Sequence, residues 1–172
     1  MTAAATARKT RLISEMTASV ITVSDSCARG ERKDASGPAV KAELEKRGFT
    51  VSNTEIVPDE QPLIEQAIKE LSERATLIVT TGGTGLGARD VTPEATRAVC
   101  DRLVEGIAER MRAEGSRSTP LAALSRAVCG IRGKTLVLNL PGSPRAAVES
   151  FAAVAELLPH ALELLQGKTD HS

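Results

Sequence analysis

A glycine-rich segment at residues 80–90 carries the residue types best suited to binding an anionic ligand. Its sequence, Thr-Thr-Gly-Gly-Thr-Gly-Leu-Gly-Ala-Arg-Asp, has four glycines within six residues. Glycine lets the main chain approach a ligand closely, and the N–H groups of such a loop can surround phosphate oxygens. A helix is predicted to begin at Thr92-Pro93-Glu94, and its positive end would add to the attraction. The alternative is a glycine-rich turn that binds nothing.

Two aspartates, Asp59 and Asp90, each stand where a predicted strand gives way to a predicted helix. Taken singly, either carboxylate could be a helix cap or an acid that stabilises a helix N-terminus. Beside a polyphosphate, two bare carboxylates would repel the ligand. Mg²⁺ removes this repulsion because it binds carboxylate and phosphate oxygens together. The pair therefore favours a magnesium site next to the glycine loop.

A second strand-turn-helix segment has the sequence Asn-Leu-Pro-Gly-Ser-Pro at residues 139–144. Pro141 and Gly142 suit a tight turn and Ser143 suits a helix cap, so these three residues need no ligand to explain them. Asn139 and Arg145 are not explained in this way. The segment is therefore open to both interpretations when taken alone.

Gly83, Gly85 and Ala88 also fit the loose dinucleotide fingerprint G-x-G-x-x-A. The fit follows the third predicted strand instead of the first, and the acid expected about 20 residues later falls near Asp101, at no predicted strand end. A nicotinamide-dependent oxidoreductase rests on this pattern alone.

The remaining reactive side chains form no recognisable site. The three cysteines are widely spaced without a CxxC pair, and neither histidine has a metal-binding partner at ligand spacing. Arg29, Arg32 and Lys33 could meet phosphates, although a solvated charged loop is the simpler explanation.

Apolar patterns between these loops predict the elements that must position them. Strands are predicted at 18–24, 49–57, 76–80, 125–131 and 135–140, and helices at 36–47, 63–71, 92 onward, 103–114 and 143–166. Pro159 is expected to kink or restart the last helix. Strands that alternate with helices predict an α/β sandwich with a mostly parallel sheet, in which ligands bind beyond the carboxyl ends of the strands.

Composition narrows the class of protein. The chain has 172 residues, 41% of them hydrophobic, which predicts one globular domain, at residues 18–167, between a loose lead-in (1–17) and a flexible tail (168–172). Lys plus Arg and Asp plus Glu both number 22, so neither nucleic acid nor a membrane surface is an expected partner. No apolar run approaches 18 residues and no secretory signal is apparent, so a cytoplasmic location is expected.

Several segments together resemble one known family. They are 80–85 (Thr-Thr-Gly-Gly-Thr-Gly), 89–94 (Arg-Asp-Val-Thr-Pro-Glu) and 139–144, with support from 23–25, 36–38, 56–60 and 124–126. Their order and spacing, over roughly residues 18–166, resemble the molybdenum-cofactor biosynthesis proteins, which comprise molybdopterin adenylyltransferases and the sister MoaB type.

The resemblance implies a fold and an activity. The fold would be a single-domain three-layer α/β/α sandwich, usually assembled as a homotrimer. The activity would be Mg²⁺-dependent transfer of AMP from ATP to the terminal phosphate of molybdopterin, with release of pyrophosphate. A molybdenum-inserting enzyme would be the downstream partner. The alternative within the family is a non-catalytic, MoaB-type molybdopterin-binding module.

Matching positions in the motifs assign roles to individual residues. The resemblance implies that Asp59 and Asp90 are the catalytic acids and hold the metal. Substrate binding would use Ser24, Asp25, Gly82, Gly83, Thr84, Gly85, Ser125, Asn139, Pro141 and Gly142. A terminal phosphate has a second pKa near 6, so it is ionised at pH 7 and needs no general base. The lack of a well-placed histidine is thus consistent with this chemistry.

Overall fold

Strands and helices alternate along residues 16–168, the part of the chain that the computed structural model describes. The strands are β1 (Thr17–Val23), β2 (Thr50–Val57), β3 (Leu77–Thr81), β4 (Arg102–Leu103), β5 (Cys129–Arg132) and β6 (Thr135–Leu140). The helices are α1 (Asp25–Ala28), α2 (Ser36–Lys46), α3 (Gln61–Ser72), α4 (Thr92–Val99), α5 (Glu105–Ser118), α6 (Pro144–Val154) and α7 (Leu158–Leu165), with a 3₁₀ turn at Pro120–Leu124. No helix in residues 16–168 is both long and apolar enough to cross a bilayer.

The six strands form one sheet in the order β2-β1-β3-β6-β5-β4. The first four are parallel to one another. At one edge of the sheet, β5 pairs antiparallel with β6 and β4 pairs antiparallel with β5. From β1 the chain crosses over to β2 on one side, and from β3 it continues to strands on the other. The order therefore reverses between β1 and β3, where Thr22 pairs with Thr81 at the carboxyl ends of the strands. Ligands of open α/β sheets bind at such a point.

Helices cover both faces of the sheet, which confirms the predicted three-layer sandwich. One buried cluster packs α2, α5, α6 and α7 against side chains that include Val20, Val79 and Leu138. The other packs α3 and α4 against residues such as Ile21 and Ile78. Neighbouring residues in one strand thus enter opposite clusters, because side chains alternate across a sheet. Burial on both faces explains why these strands are continuous apolar runs.

The buried parallel strands begin and end within one residue of their predicted positions, and three other predictions need correction. Residues 25–28, where no helix is predicted, form α1, which Ser24 caps because its Oγ accepts a hydrogen bond from the main-chain N–H of Cys27 (3.2 Å). The predicted helix at 103–114 begins later, at Glu105, because Leu103 belongs to β4 and pairs with Gly130 of β5. This helix also continues to Ser118. The predicted strand at 125–131 is shorter, since Arg112 bonds the carbonyl of Ala127 (2.9 Å) and strand pairing begins at Cys129.

The predictions for the last helix and for the N-terminal lead-in can also be compared with the structure. The last predicted helix is divided after Val154 and restarts at Leu158, with Pro159 in the first turn of α7, as expected for proline. At the other end, Met16 is buried in the core and Thr17 begins β1, so these two residues belong to the folded domain and not to the predicted lead-in. Residues 1–15 and 169–172 lie outside the described part of the chain.

Candidate functional site

The carboxyl ends of the four parallel strands bring the predicted site residues to one edge of the sheet. Asp25 follows β1, Asp59 follows β2, Gly82 follows β3 and Gly142 follows β6. Gly82 donates its N–H to the carbonyl of Leu140 (3.1 Å), so the glycine loop continues the pairing of β3 with β6. The topology therefore gathers residues from distant parts of the sequence.

Asp25 and Asp59 are joined by a reciprocal pair of hydrogen bonds. The N–H of Asp25 donates to Asp59 Oδ2 (2.8 Å), and the N–H of Asp59 donates to Asp25 Oδ1 (3.0 Å). Arg89 also donates from Nε to Asp25 Oδ2 (2.6 Å) and from Nη2 to Asp25 Oδ1 (2.9 Å). The Arg89 guanidinium lowers the pKa of Asp25 below its ordinary value. Asp25 is thus held as an anion that links the ends of β1 and β2 to the glycine loop.

The carboxylate of Asp59 lies in a less favourable environment than that of Asp25. Burial is the largest cause that raises the pKa of Asp59, and the negative charges of Asp25 and Asp90 raise it further. The hydrogen bond from the Asp25 N–H opposes these effects. A partly buried carboxylate that faces other carboxylates gains free energy when a cation binds beside it.

The glycine loop turns sharply at Gly82 and Gly83, which have φ values of +91° and +66°. A Cβ on Gly82 would lie 2.3 Å from the carbonyl oxygen of Val23, and one on Gly83 would lie 2.3 Å from Thr92 Oγ1. Thr92 is the first residue of α4, where the sequence predicts the helix to begin. Its Oγ1 donates to the carbonyl of Gly82 (2.9 Å) and its N–H to that of Gly83 (3.1 Å). The loop is thus fixed against both β1 and α4.

The far end of the loop wraps around the carboxylate of Asp90. The N–H of Gly87 donates to Asp90 Oδ2 (2.9 Å), and the N–H of Asp90 donates back to the carbonyl of Gly87 (3.0 Å). A Cβ on Gly85 would lie 2.9 Å from the same oxygen. The loop therefore holds the carboxylate of Asp90 at its far end, close enough to Asp59 for its negative charge to raise the pKa of Asp59.

Two clefts open on either side of the loop. A polar cleft of about 520 Å³ is lined by several predicted site residues, namely Ser24, Asp59, Gly82, Gly83, Asp90 and Gly142. A largely apolar cleft of about 300 Å³ is lined by the others, namely Thr84, Gly85, Ser125, Asn139 and Pro141. Asp25 lines neither cleft, because its carboxylate faces Arg89. The predicted residues thus form two adjoining sites with the glycine loop between them.

Asn139 reaches the apolar cleft from within the core. Its side chain is fully buried, and its Nδ2 donates to Thr80 Oγ1 (3.0 Å) and Thr96 Oγ1 (2.9 Å). Its Oδ1 accepts from the N–H of Val128 (3.2 Å). Because both amide donors bond to protein atoms, we expect Asn139 to shape the cleft by joining β3, β6 and α4.

Comparison with known families identifies the fold. Residues 19–160 match the family described as a probable molybdopterin binding domain. The chain belongs to this family. The match covers both clefts, every predicted site residue and all of the sheet except Thr17 and Ala18, so the clefts and the family assignment concern the same part of the chain.

Individual relatives of this chain have names that refer to the synthesis of molybdopterin or of the molybdenum cofactor. The chain is 39% identical over 152 residues to the molybdopterin adenylyltransferase of Helicobacter pylori and covers 86% of each protein. It is 44% identical over 156 residues to the molybdenum cofactor synthesis protein cinnamon of Drosophila melanogaster; the match covers 87% of this chain but only 26% of that longer protein. The solved structure of the molybdopterin biosynthesis enzyme MoaB from Thermus thermophilus has a TM-score of 0.84 and 51% identity, over 88% of this chain and 97% of that one.

The described part of the chain offers few clustered side-chain ligands for a metal ion. Within residues 16–168, no three His, Cys, Asp or Glu side chains come together as a metal site. Mg²⁺ is commonly held by one or two carboxylates and completed by substrate phosphates. Asp59 and Asp90 on the polar cleft fit this pattern, in which the substrate would supply the remaining oxygens.

Sequence reasoning missed Arg126, which contacts the glycine loop of the domain at several points. The segment 124–126 contributes to the family resemblance, but an arginine that bonds main-chain carbonyls has no recognisable spacing. Its partners become visible only when the strands are assembled. Arg89 was part of a recognised motif, yet its pairing with Asp25, 64 residues away, was equally hidden.

Proposed function

We propose that this protein is a molybdopterin adenylyltransferase. It transfers AMP from Mg-ATP to the terminal phosphate of molybdopterin and releases pyrophosphate. The observation that carries the proposal is the position of Asp59 and Asp90, which lie beside a glycine loop that separates a polar from an apolar cleft. The similarity to curated molybdopterin adenylyltransferases over most of both chains supports it.

The two clefts suit the two substrates. The polar cleft would take the triphosphate of ATP, since it offers the Ser24 hydroxyl and, among its described lining residues, Arg32 and Lys33 as the cations. The apolar cleft would take the flat ring system of the pterin, because Met111, Leu121 and other apolar side chains line it. The reacting phosphates would then meet at the glycine loop.

The chain's own part in the reaction is alignment and charge stabilisation. A terminal-phosphate oxygen of molybdopterin forms a bond to the α-phosphorus of ATP, while the bond from that phosphorus to the bridging oxygen of pyrophosphate breaks and its electron pair leaves with pyrophosphate. Loop N–H groups would stabilise the developing negative charge, apart from those of Gly82, Gly87 and Asp90, which already bond protein oxygens, and the positive end of α4 would add to this effect. Mg²⁺, held by Asp59 and Asp90, would supply further charge neutralisation on the phosphates.

Other features of the proposal rest on the family resemblance. We propose a homotrimer in the cytoplasm that passes the adenylylated product to a molybdenum-inserting enzyme. The balanced charge, with 22 basic and 22 acidic residues, supports the expectation that neither nucleic acid nor a membrane is a partner.

Pyrophosphate release from Mg-ATP, with and without molybdopterin, tests the activity. We expect Asp90→Asn to lower the pterin-dependent rate by about 100-fold or more, with folding retained because Asn can still accept from Gly87. Asp101→Asn is the matched control. The Oδ2 of Asp101 accepts from the N–H of Gly133 (2.7 Å) in the same manner, at the opposite edge of the sheet. Equal rates in the two variants would remove Asp90 from the mechanism.

The second candidate is a MoaB-type binding module without the full reaction, and the name MoaB is also that of the 51% identical neighbour. Tight molybdopterin binding by the wild type, with no Mg²⁺-dependent pyrophosphate release, would select this candidate. The oxidoreductase interpretation is tested by adding millimolar NADH, which should leave the melting temperature of the protein unchanged.

A further inference from the structure

Arg126 connects the glycine loop to the segment that precedes β5, whose residue Ser125 lines the apolar cleft. Its Nε donates to the carbonyl of Gly85 (2.7 Å) and its Nη2 to the carbonyl of Asp90 (2.5 Å). Its Nη1 forms an ion pair with Glu94 on α4, and its main-chain N–H donates to the carbonyl of Thr84 (2.9 Å). Arg126 thus contacts the loop in its middle and at its last residue, and it also contacts the helix that follows the loop.

The tip of the loop has few other attachments. Residues 86–89 are exposed, and the described bonds of the tip are the turn between Gly87 and Asp90 and the ion pair of Arg89 with Asp25. The turn moves with the tip, and the ion pair joins the tip to Asp25 through an Arg89 side chain that is 61% exposed. The side chain of Arg126, by contrast, is two-thirds buried, with 35% of its surface exposed. It therefore fixes the main chain of Asp90 relative to the sheet.

The planar guanidinium is essential to this arrangement. Arginine presents several N–H donors in a rigid fork, which can bond two carbonyl oxygens and a carboxylate at once. A lysine at the same position keeps the charge and can keep Glu94 as a partner, but its single nitrogen cannot span the carbonyls of Gly85 and Asp90 together.

We propose that Arg126 is the positioning residue that keeps the Asp90 carboxylate opposite Asp59. This inference rests on the proposed function, in which both acids hold the metal of Mg-ATP. Ser125, the preceding residue, lines the apolar cleft, while Asp90 lines the polar one. Arg126 therefore joins the walls of the two clefts, and the placement of Asp90 depends on the segment that would contact the pterin.

Three variants separate this role from a general effect on folding. Arg126→Lys removes the fork but keeps the charge. Glu94→Gln removes only the ion pair and leaves both carbonyl bonds of Arg126 in place. Arg132→Lys is the matched control, because Arg132 bonds Ser72 Oγ (3.1 Å) and the Val99 carbonyl (3.0 Å) in a similar fork at the opposite edge of the sheet.

Kinetics of pyrophosphate release give the first result. We expect Arg126→Lys to lower kcat about tenfold or more and to raise the Mg²⁺ concentration for half-maximal rate by a similar factor, with KM for molybdopterin changed less than about threefold. We expect Glu94→Gln and Arg132→Lys to stay within about twofold of the wild type. An Arg126→Lys enzyme with wild-type kcat and Mg²⁺ dependence would overturn the proposal, as would an equal loss in Arg132→Lys.

Amide hydrogen exchange of the ligand-free protein gives a second result that does not depend on activity. We expect the peptide covering 83–91 to exchange about tenfold faster in Arg126→Lys and unchanged in Arg132→Lys. Unchanged exchange in Arg126→Lys would contradict the positioning role. If the wild type releases no pyrophosphate, the proposed activity fails by itself, and this exchange measurement still decides whether Arg126 holds the loop.

Discussion

Gly82 is the position where the loop should be least tolerant of a side chain. In Gly82→Ala the new Cβ would lie 2.3 Å from the carbonyl oxygen of Val23, more than 1 Å inside ordinary contact. The obstacle is main chain at the end of β1 and cannot turn aside. Alanine at a φ of +91° also carries backbone strain. We expect strain of about 1–2 kcal/mol and a steric cost of about 1–3 kcal/mol, or roughly 2–5 kcal/mol in total.

Gly133→Ala isolates the steric part of this cost. Gly133 also has a positive φ, +57°, but a Cβ there would have no neighbour within 4 Å. The control should lose only the strain, about 1–2 kcal/mol. Alanine reduces the entropy of the unfolded chain equally in both variants, so this effect cancels in the comparison.

Urea unfolding followed by far-ultraviolet circular dichroism measures the difference, since the chain has no Trp or Tyr for fluorescence. Protein concentration is kept equal in all samples. For a chain of this size the extra 1–3 kcal/mol corresponds to a melting temperature about 2–12 °C lower in Gly82→Ala than in Gly133→Ala. Equal losses in the two variants would refute the close approach of the loop to β1.

Two further predictions concern charge. Asp59→Asn should inactivate the enzyme yet raise its melting temperature at pH 7. Folding raises the pKa of Asp59, so the wild type loses stability as the pH rises through that pKa. The gain in melting temperature should therefore vanish in thermal scans below about pH 4, where the carboxyl is protonated in both states. Replacing Arg32 and Lys33 together by Gln should raise KM for ATP about tenfold with little change in kcat, whereas Arg29→Gln, which removes a partner of Glu31 outside the cleft, should change neither.

Each of these two predictions has a result that would contradict it. A melting-temperature gain for Asp59→Asn that is the same at pH 4 and pH 7 would exclude its ionisation as the cause. Unchanged KM and kcat in the Arg32 and Lys33 double variant would place these cations elsewhere than at the bound nucleotide.

The sequence was most informative where burial alone determines structure. The strands β1, β3 and β6 are covered on both faces, so β-branched and leucine-rich runs were sufficient to locate them. The prediction failed for α1 and β4, which span four and two residues. Such short elements depend on tertiary partners, as Leu103 does on Gly130, 27 residues later. No local pattern indicates a partner at that distance.

The same distinction applies to the candidate site. Asp59, Asp90 and the glycine loop could be selected from the sequence because two acids follow predicted strands and four glycines fall within six residues beside one of them. The bonds that Asp25 shares with Asp59 and Arg89, and those of Arg126 with the loop, connect residues 34 to 64 positions apart. These contacts exist only because the sheet order brings the loops together.

The sheet order also has a consequence for folding. β6 is the last strand of the sheet in the sequence, yet it lies in the interior, between β3 and β5. Until residue 140 has left the ribosome, the hydrogen-bonding edge of β3 has no partner, and Gly142 cannot close the polar cleft. Exposed edges of this kind promote association between incomplete chains. We therefore expect nucleotide binding to appear in one late step when β6 inserts, so that ATP cannot stabilise a nascent chain.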